Sequence, residues 1–272
     1  MPVQDWPLWR RAPWLFTALI GSRARLRQAG LGTRRLLCKA LWPQIRYHED
    51  GLATEHNADF AHDVRFAEAY ALGKATGSCG KRDIRWRAYV ACWAASHAAQ
   101  LAGDFVECGV NRGGLSRAVA HYVGFERLNK RFYLLDTFAG IPAESISPEE
   151  WALGRRPGKW TPTSYSECYD DVQRTFADYG NVVLVRGVSP NTLPLVEADE
   201  VCYLSIDLNC VAPEIGAAEY FWPKMVSGGV MLLDDYAQIP FLPQKRAFDA
   251  FADHHGVMVL ALPTGQGLIL KP

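Results

Sequence analysis

From residue 104 onward the chain alternates short, nearly continuous apolar runs with stretches of helical period, and that alternation sets the expected architecture. Apolar runs predict strands over 104–108, 131–136, 181–187, 201–207 and 229–235. Between and around them the apolar positions recur at helical spacing. Two helical segments fall between Asn57 and about Leu101, separated by Gly77 to Gly80. Another opens near Gly113 and runs through His121, and three more span Tyr165 to Tyr179, Ala212 to Met225 and Gln244 to His255. Val257 to Leu262 and Gly267 to Leu270 read as a hairpin around Pro263-Thr-Gly-Gln266. Strands that alternate with helices predict a doubly wound α/β fold. Its sheet is mostly parallel and seven-stranded, and the terminal hairpin adds an antiparallel strand. Residues 144 to 165 are rich in Pro, Glu, Gly and Trp without a sustained period; they read as a lid loop with a short helical start at Ser147-Pro-Glu-Glu150.

Length and charge divide the chain unevenly. Its 272 residues suit one large domain, placed at 57–272, preceded by an extension at 1–56. Total charge is zero, yet residues 1–46 hold nine Lys and Arg against the single acid Asp5, a formal charge of +8 that leaves −8 on the remainder. Trp6, Trp9, Trp14, Leu15 and Phe16 interleave with Arg10, Arg11, Arg23 and Arg25, which makes parts of this segment a candidate basic amphipathic helix. Such a helix suits an anionic membrane surface or a partner subunit, a second copy of the chain included; a helix packed on its own domain is the plainer alternative. The basic residues sit at one end and accompany no recognition motif, which argues against nucleic acid. The run Trp14 to Ile20 is too short to span a bilayer. Seven cysteines without paired spacing point to a reducing compartment, hence a cytoplasmic location, and no clustered Cys/His set suggests zinc.

The chemistry concentrates at the carboxyl ends of the predicted strands. Asp104-Phe-Val-Glu-Cys-Gly-Val-Asn-Arg-Gly-Gly-Leu-Ser116 reads as a strand running through a glycine turn into a helix. The spacing is not that of a dinucleotide fingerprint. It offers instead a carboxylate, Glu107, and a helix amino end suited to an anion, with Gly109, Asn111, Gly113 and Ser116 along the turn. S-adenosylmethionine (SAM), with an ammonium, a carboxylate and a ribose diol, matches that pairing. Asp136, with Thr137 and Phe138, ends the second strand, where an acid can accept bonds from ribose hydroxyls; its plain alternative is a turn former. Asp207 ends the fourth strand and Asp234-Asp235 the fifth, so three carboxylates arrive at the same sheet edge. Like charges so placed call for a hard divalent cation such as Mg²⁺, which lowers the pKa of a bound hydroxyl; solvated strand ends are the alternative.

Together these segments carry a resemblance. Phe-Val-Glu-Cys-Gly-Val-Asn-Arg-Gly-Gly from Phe105, Leu-Leu-Asp-Thr-Phe from Leu134, Ser-Ile-Asp-Leu-Asn-Cys from Ser205 and Leu-Leu-Asp-Asp-Tyr from Leu232 are similar to the macrocin O-methyltransferase (TylF-type) family, from about Asn57 to the C-terminus. The resemblance implies the SAM methyltransferase form of the doubly wound fold. It also implies cofactor contacts from Glu107, Gly109 and Asp136, metal ligation by Asp207, Asp234 and Asp235, and methylation of hydroxyls, mostly on antibiotic sugars. Several sugar-modifying members carry a second acid two residues after the first metal ligand, a proposed general base; this chain has Asn209, and an amide takes no proton. Lys245, His254 and Glu214 are substitutes by residue type, Lys245 only with a depressed pKa. The expectation is a SAM- and Mg²⁺-dependent O-methyltransferase acting on a small natural product or glycan, with Asp207, Asn209 and Lys245 as candidate catalytic residues. A SAM-binding scaffold without turnover and a metal-dependent hydrolase are the rivals.

Overall fold

The computed structural model describes residues 42–157 and 166–272. The chain divides into two compact units, one ending at Asp59 and one spanning Phe60–Pro272. Most of the basic extension, residues 1–41, lies outside the described residues, as does the 158–165 part of the candidate lid.

In the first unit β1 (Tyr47–Glu49) pairs antiparallel with β2 (Leu52–Thr54), Glu49 opposite Leu52. Asp50 and Gly51 between them both have positive φ, 49° and 82°, the twist a two-residue hairpin prefers. The pattern reading lacked this hairpin, although Asp-Gly is its signal.

The second unit opens with α1 (Val64–Ala75), whose first turn is capped by Asp63 accepting from Phe66 N, and α2 (Arg85–Ala98). Then follow β3 (Asp104–Cys108), α3 (Gly114–Val123), β4 (Phe132–Asp136), α4 (Pro148–Ala152), α5 (Tyr169–Thr175) and β5 (Val182–Arg186). The chain closes with β6 (Val201–Ile206), α6 (Val211–Phe221), β7 (Met225–Leu233), α7 (Leu242–His255), β8 (Leu260–Ala261) and β9 (Gly267–Leu270). One seven-stranded sheet has the order β5-β4-β3-β6-β7-β9-β8; its first five strands are parallel, and β9 runs antiparallel to both β7 and β8. The doubly wound fold is therefore as expected.

Several boundaries differ for local reasons. Tyr165 is outside the described residues, and α5 begins only at Tyr169 because Cys168 N is tied to Phe138 O at 2.9 Å. The helix expected to reach Met225 stops at Phe221: Trp222-Pro-Lys224 makes a single tight turn, and Met225 already opens β7.

Alternate strand residues feed two cores. Phe105, Phe132, Tyr203 and Leu232 pack with helices α1 to α3, while Val106, Tyr133, Leu204 and Met231 pack with α6 and α7. Covered on both faces, the parallel strands read as continuous apolar runs. The topological switch lies between β3 and β6, and the crevice beyond their carboxyl ends is where such folds bind ligands. No helix among the described residues is long and apolar enough to cross a membrane.

Candidate active site

A cavity of about 450 Å³ opens at that switch point, a size suited to a small molecule. The turn after β3 forms one part of its lining. Gly109 adopts φ 95°, and a Cβ there would sit 1.9 Å from the Asp207 carbonyl oxygen, so the loops after β3 and β6 touch only because residue 109 has no side chain. The N–H of Gly114, at the start of α3, is taken by Ser78 Oγ at 3.0 Å.

Asp136 organises this turn. Its Oδ2 accepts from Val110 N and Asn111 N, both at 2.7 Å, and its Oδ1 from Phe138 N at 2.7 Å and Thr137 Oγ1 at 3.3 Å. Four donors of the chain thus occupy both oxygens, and Asn111 is held at φ 51°. Glu107 contrasts with it. Its side chain is 3% exposed, and Oε2 has no hydrogen-bond partner among the described residues. Burial, with the charges of Asp234 and Asp136 adding to it, pushes the carboxyl up to about 8.

The acids after β6 and β7 meet at the same edge. Asp207 and Asp234 line the cavity; Asp235, though buried, does not. Asp207 Oδ1 accepts from Asn209 Nδ2 at 2.9 Å, and Asp235 Oδ1 from Gln238 Nε2 at 2.8 Å. Asp234 Oδ2 takes Arg87 Nη1 at 2.7 Å and its Oδ1 Gln266 Nε2 at 3.2 Å. Burial lifts the Asp207 carboxyl well above its usual range, reinforced by the charges of Asp234 and Asp235; burial and then Asp234 do the same to Asp235. No three metal-ligating side chains among the described residues stand ready around one point.

Of the residues singled out from sequence, the cavity brings together Glu107, Gly109, Asn111, Asp136, Thr137, Phe138, Asp207, Asn209 and Asp234. Gly113 and Ser116 support the turn from behind: a Cβ on Gly113 would lie 2.8 Å from the Phe176 ring, and Ser116 is fully buried. Lys245 lies outside the lining, bonded to Asp249 at 2.6 Å and Tyr236 at 3.3 Å. Those bonds, the Asp249 one foremost, raise its pKa, the reverse of what a lysine base requires. His254 also lies outside the lining, and Glu214 is buried with its Oε1 lacking a partner among the described residues.

The pattern reading missed several residues. Arg82 and Arg87 reach the cavity from the α1–α2 region. Ser189 and Thr192 reach it from the turn after β5, both hydroxyls buried without a partner among the described residues. Their signal was available, since Gly187-Val-Ser-Pro-Asn-Thr192 ends a parallel strand at the ligand edge. From the candidate lid, Glu150 accepts from Ser147 N at 2.9 Å and from Val211 N, at the start of α6, at 2.7 Å. Arg155, fully buried over the Phe241 ring, donates Nε to Asn209 O at 2.7 Å.

The family model for macrocin O-methyltransferase (TylF) matches residues 44–260. The chain belongs to that family. Among curated relatives, demethyldecarbamoylnovobiocin O-methyltransferase of Streptomyces niveus is 29% identical over 159 residues, 55% of this chain. A tetracenomycin-C 4′-O-methyltransferase of Streptomyces olivaceus, whose full name specifies the 8-demethyl-8-(2,3-dimethoxy-α-L-rhamnosyl) form, is 28% identical over 143 residues, 50% of this chain. The matches span 58% and 53% of those relatives' own lengths. Among solved structures, the O-methyltransferase NovP superposes with TM-score 0.57 at 23% identity, covering 68% of this chain and 79% of its own. The calicheamicin methyltransferase gives 0.55 at 15% identity, covering 79% and 94%. These likenesses show the fold.

Proposed function

We propose that this protein transfers the methyl group of SAM to a hydroxyl of a small natural product or sugar, with a divalent cation, Mg²⁺, at the aspartates. The observation that carries the reading is the convergence, on one cavity at the switch point, of a buried carboxylate with an unpartnered oxygen, Glu107, and the acids Asp207 and Asp234. Family membership and the O-methyltransferase names of its relatives support the same chemistry.

The residues fit SAM. Glu107 Oε2, Ser189 Oγ and Thr192 Oγ1 are buried polar atoms on the cavity lining that a polar ligand would satisfy. Asp136 serves by clamping Val110, Asn111 and Phe138, since its oxygens are already engaged, and Glu107 is the acid left to accept from a ribose hydroxyl or an ammonium. The cofactor supplies an electrophilic methyl group on a sulfonium.

The donor set is chemically suited to a hard cation, although its three side chains do not converge on one point: Asp234 and Asp235 are buried oxygen donors, Asp207 is half-buried, and mutual repulsion helps lift Asp207 and Asp235. When bound, the cation supplies Lewis acidity and charge compensation to an oxygen nucleophile. The chain's own part is to orient the hydroxyl and to receive its proton. Asn209 cannot accept it; Asp207, which lines the cavity and is steadied by the Asn209 amide, is the acceptor at this edge.

The test is a calorimetric titration of SAH-free protein with SAM, with and without Mg²⁺, followed by a screen of hydroxyl substrates. Micromolar binding with turnover supports the enzyme, binding without turnover a scaffold, and no binding overturns the roles of Glu107 and Asp136.

A further inference from the structure

Arg87 stands among the proposed cation ligands although no motif placed it there. It comes from the first turn of α2, and its Nη1 lies 2.7 Å from Asp234 Oδ2, both side chains 8% exposed. The other Asp234 oxygen takes Gln266 Nε2, and Gln266 is itself fully buried and fixed by Thr264 Oγ1 at 2.9 Å. Both oxygens of one proposed ligand are therefore engaged by donors of the chain. A charge-assisted bond from a guanidinium uses the same lone pairs that a hard cation requires. A guanidinium and a divalent cation on one carboxylate also repel each other strongly where water is excluded.

Resting on the cation reading above, we propose that Arg87 is an exchangeable internal counter-ion. It neutralises Asp234 while the divalent cation is absent, and its guanidinium leaves Asp234 when the cation loads. Loading is then an exchange of one cation for another at Asp234, and the released guanidinium remains on the cavity wall that Arg87 already lines. The influence of Arg87 reaches beyond its contact: its charge also works against the lifting of the Asp207 and Asp235 carboxyls. An Arg87 that instead steadied Asp234 as a ligand would have the opposite effect on cation affinity.

The test is calorimetric titration of cofactor-free protein with MgCl₂, and separately MnCl₂, using wild type, Arg87→Lys and Arg87→Met. Exchange predicts that Arg87→Met binds the cation about tenfold or more tightly than wild type, while Arg87→Lys, which keeps the charge, stays near wild type. Binding by Arg87→Met with a silent wild type supports the exchange in its strongest form. Equal or weaker binding by Arg87→Met, with wild type binding normally, overturns the exchange and leaves the cation site standing. Absence of binding by all three overturns the cation site, and the exchange with it. Should Arg87→Met fail to fold, the wild-type protein decides: the Arg87 Nε–Hε resonance, identified by its loss in Arg87→Lys, moves on Mg²⁺ addition if the guanidinium is displaced, and a resonance that stays fixed overturns the proposal.

Discussion

Asn209 donates its side-chain amide to Asp207 Oδ1 at 2.9 Å from a backbone held at φ 61°, a left-handed conformation that Asn and Asp tolerate better than most residues. Asn209→Asp therefore keeps the backbone while replacing a donor with a second carboxylate. The cation-free variant should lose about 1–3 kcal/mol of stability, the cost of a buried group that loses its hydrogen bond. Mg²⁺ should restore it, and turnover on sugar hydroxyls should rise because a second carboxylate beside Asp207 can take the hydroxyl proton. Thermal melts with and without Mg²⁺ check the first part; an unchanged melting temperature without the cation would sink it.

The candidate lid is tied to the same loop. Arg155 Nε bonds the Asn209 carbonyl, and Glu150 Oε1 accepts from Val211 N two residues further on, so residues 147–155 hold both ends of the turn that carries Asn209. Arg155→Met should cost about 2–4 kcal/mol, the loss of a buried charged donor and its stacking on Phe241. Glu150→Gln, which keeps an acceptor oxygen for Val211 N, should cost less than half of that. Urea midpoints at constant m-value decide, and equal losses would count against separate roles for the two residues.

Gly109 gives a sharper steric test. Gly109→Ala would place a Cβ 1.9 Å from the Asp207 carbonyl oxygen at φ 95°, and that oxygen is backbone, with no rotamer to escape into. The loops after β3 and β6 would have to separate, at a cost of about 3 kcal/mol or more. The variant should yield little soluble protein and bind no SAM; wild-type stability would show that the two loops do not depend on this contact.

Much of this site was legible because parallel strands, buried on both faces, announce themselves as apolar runs, and their carboxyl ends mark the ligand edge. Glu107, Asp136, Asp207 and Asp234 follow from that rule. Arg87 does not, since it reaches Asp234 across 147 residues from a helix face whose pattern says only that it packs. Nor does the saturation of Asp136: the position is visible in the sequence, but its four donors exist only once the turn is folded. Lys245 shows the opposite failure. Its residue type suggested a base, given a depressed pKa, yet the i,i+4 pairing along α7 turns its charge onto Asp249.

Glu107 predicts a pH dependence of the ligand-free protein. Burial raises its carboxyl to about 8, so between the ordinary carboxylate range and pH 8 the folded state keeps a proton that the unfolded chain has lost. The folded state binds more protons, and stability falls as pH rises across that window, by up to about 1.4 kcal/mol per unit from this group alone. Glu107→Gln should flatten its share of the slope, and saturating SAM, whose cationic groups favour the ionised carboxylate, should flatten it in wild type. Melting temperatures from pH 5 to 8 check this; a slope that persists unaltered in Glu107→Gln would move the effect to the other buried acids.

Asp207→Asn separates stability from function more cleanly than Asp234→Asn. Removing the Asp234 charge strands the buried Arg87 guanidinium, which costs about 3–5 kcal/mol and confounds any activity measurement with partial unfolding. Asp207 has no cation bonded to it among the described contacts, only the Asn209 amide, and its ionised form is penalised by burial and by two neighbouring aspartates. Neutralising it relieves that repulsion, so the cation-free variant should melt a few degrees higher than wild type. The same change removes a cation ligand and the proposed proton acceptor, so the stabilisation by Mg²⁺ should shrink and turnover should fall by about 10²-fold or more. A variant that melts higher, no longer responds to Mg²⁺ and still binds SAM would place Asp207 in the reaction and outside the cofactor site; one that keeps full turnover would remove it from both proposed roles.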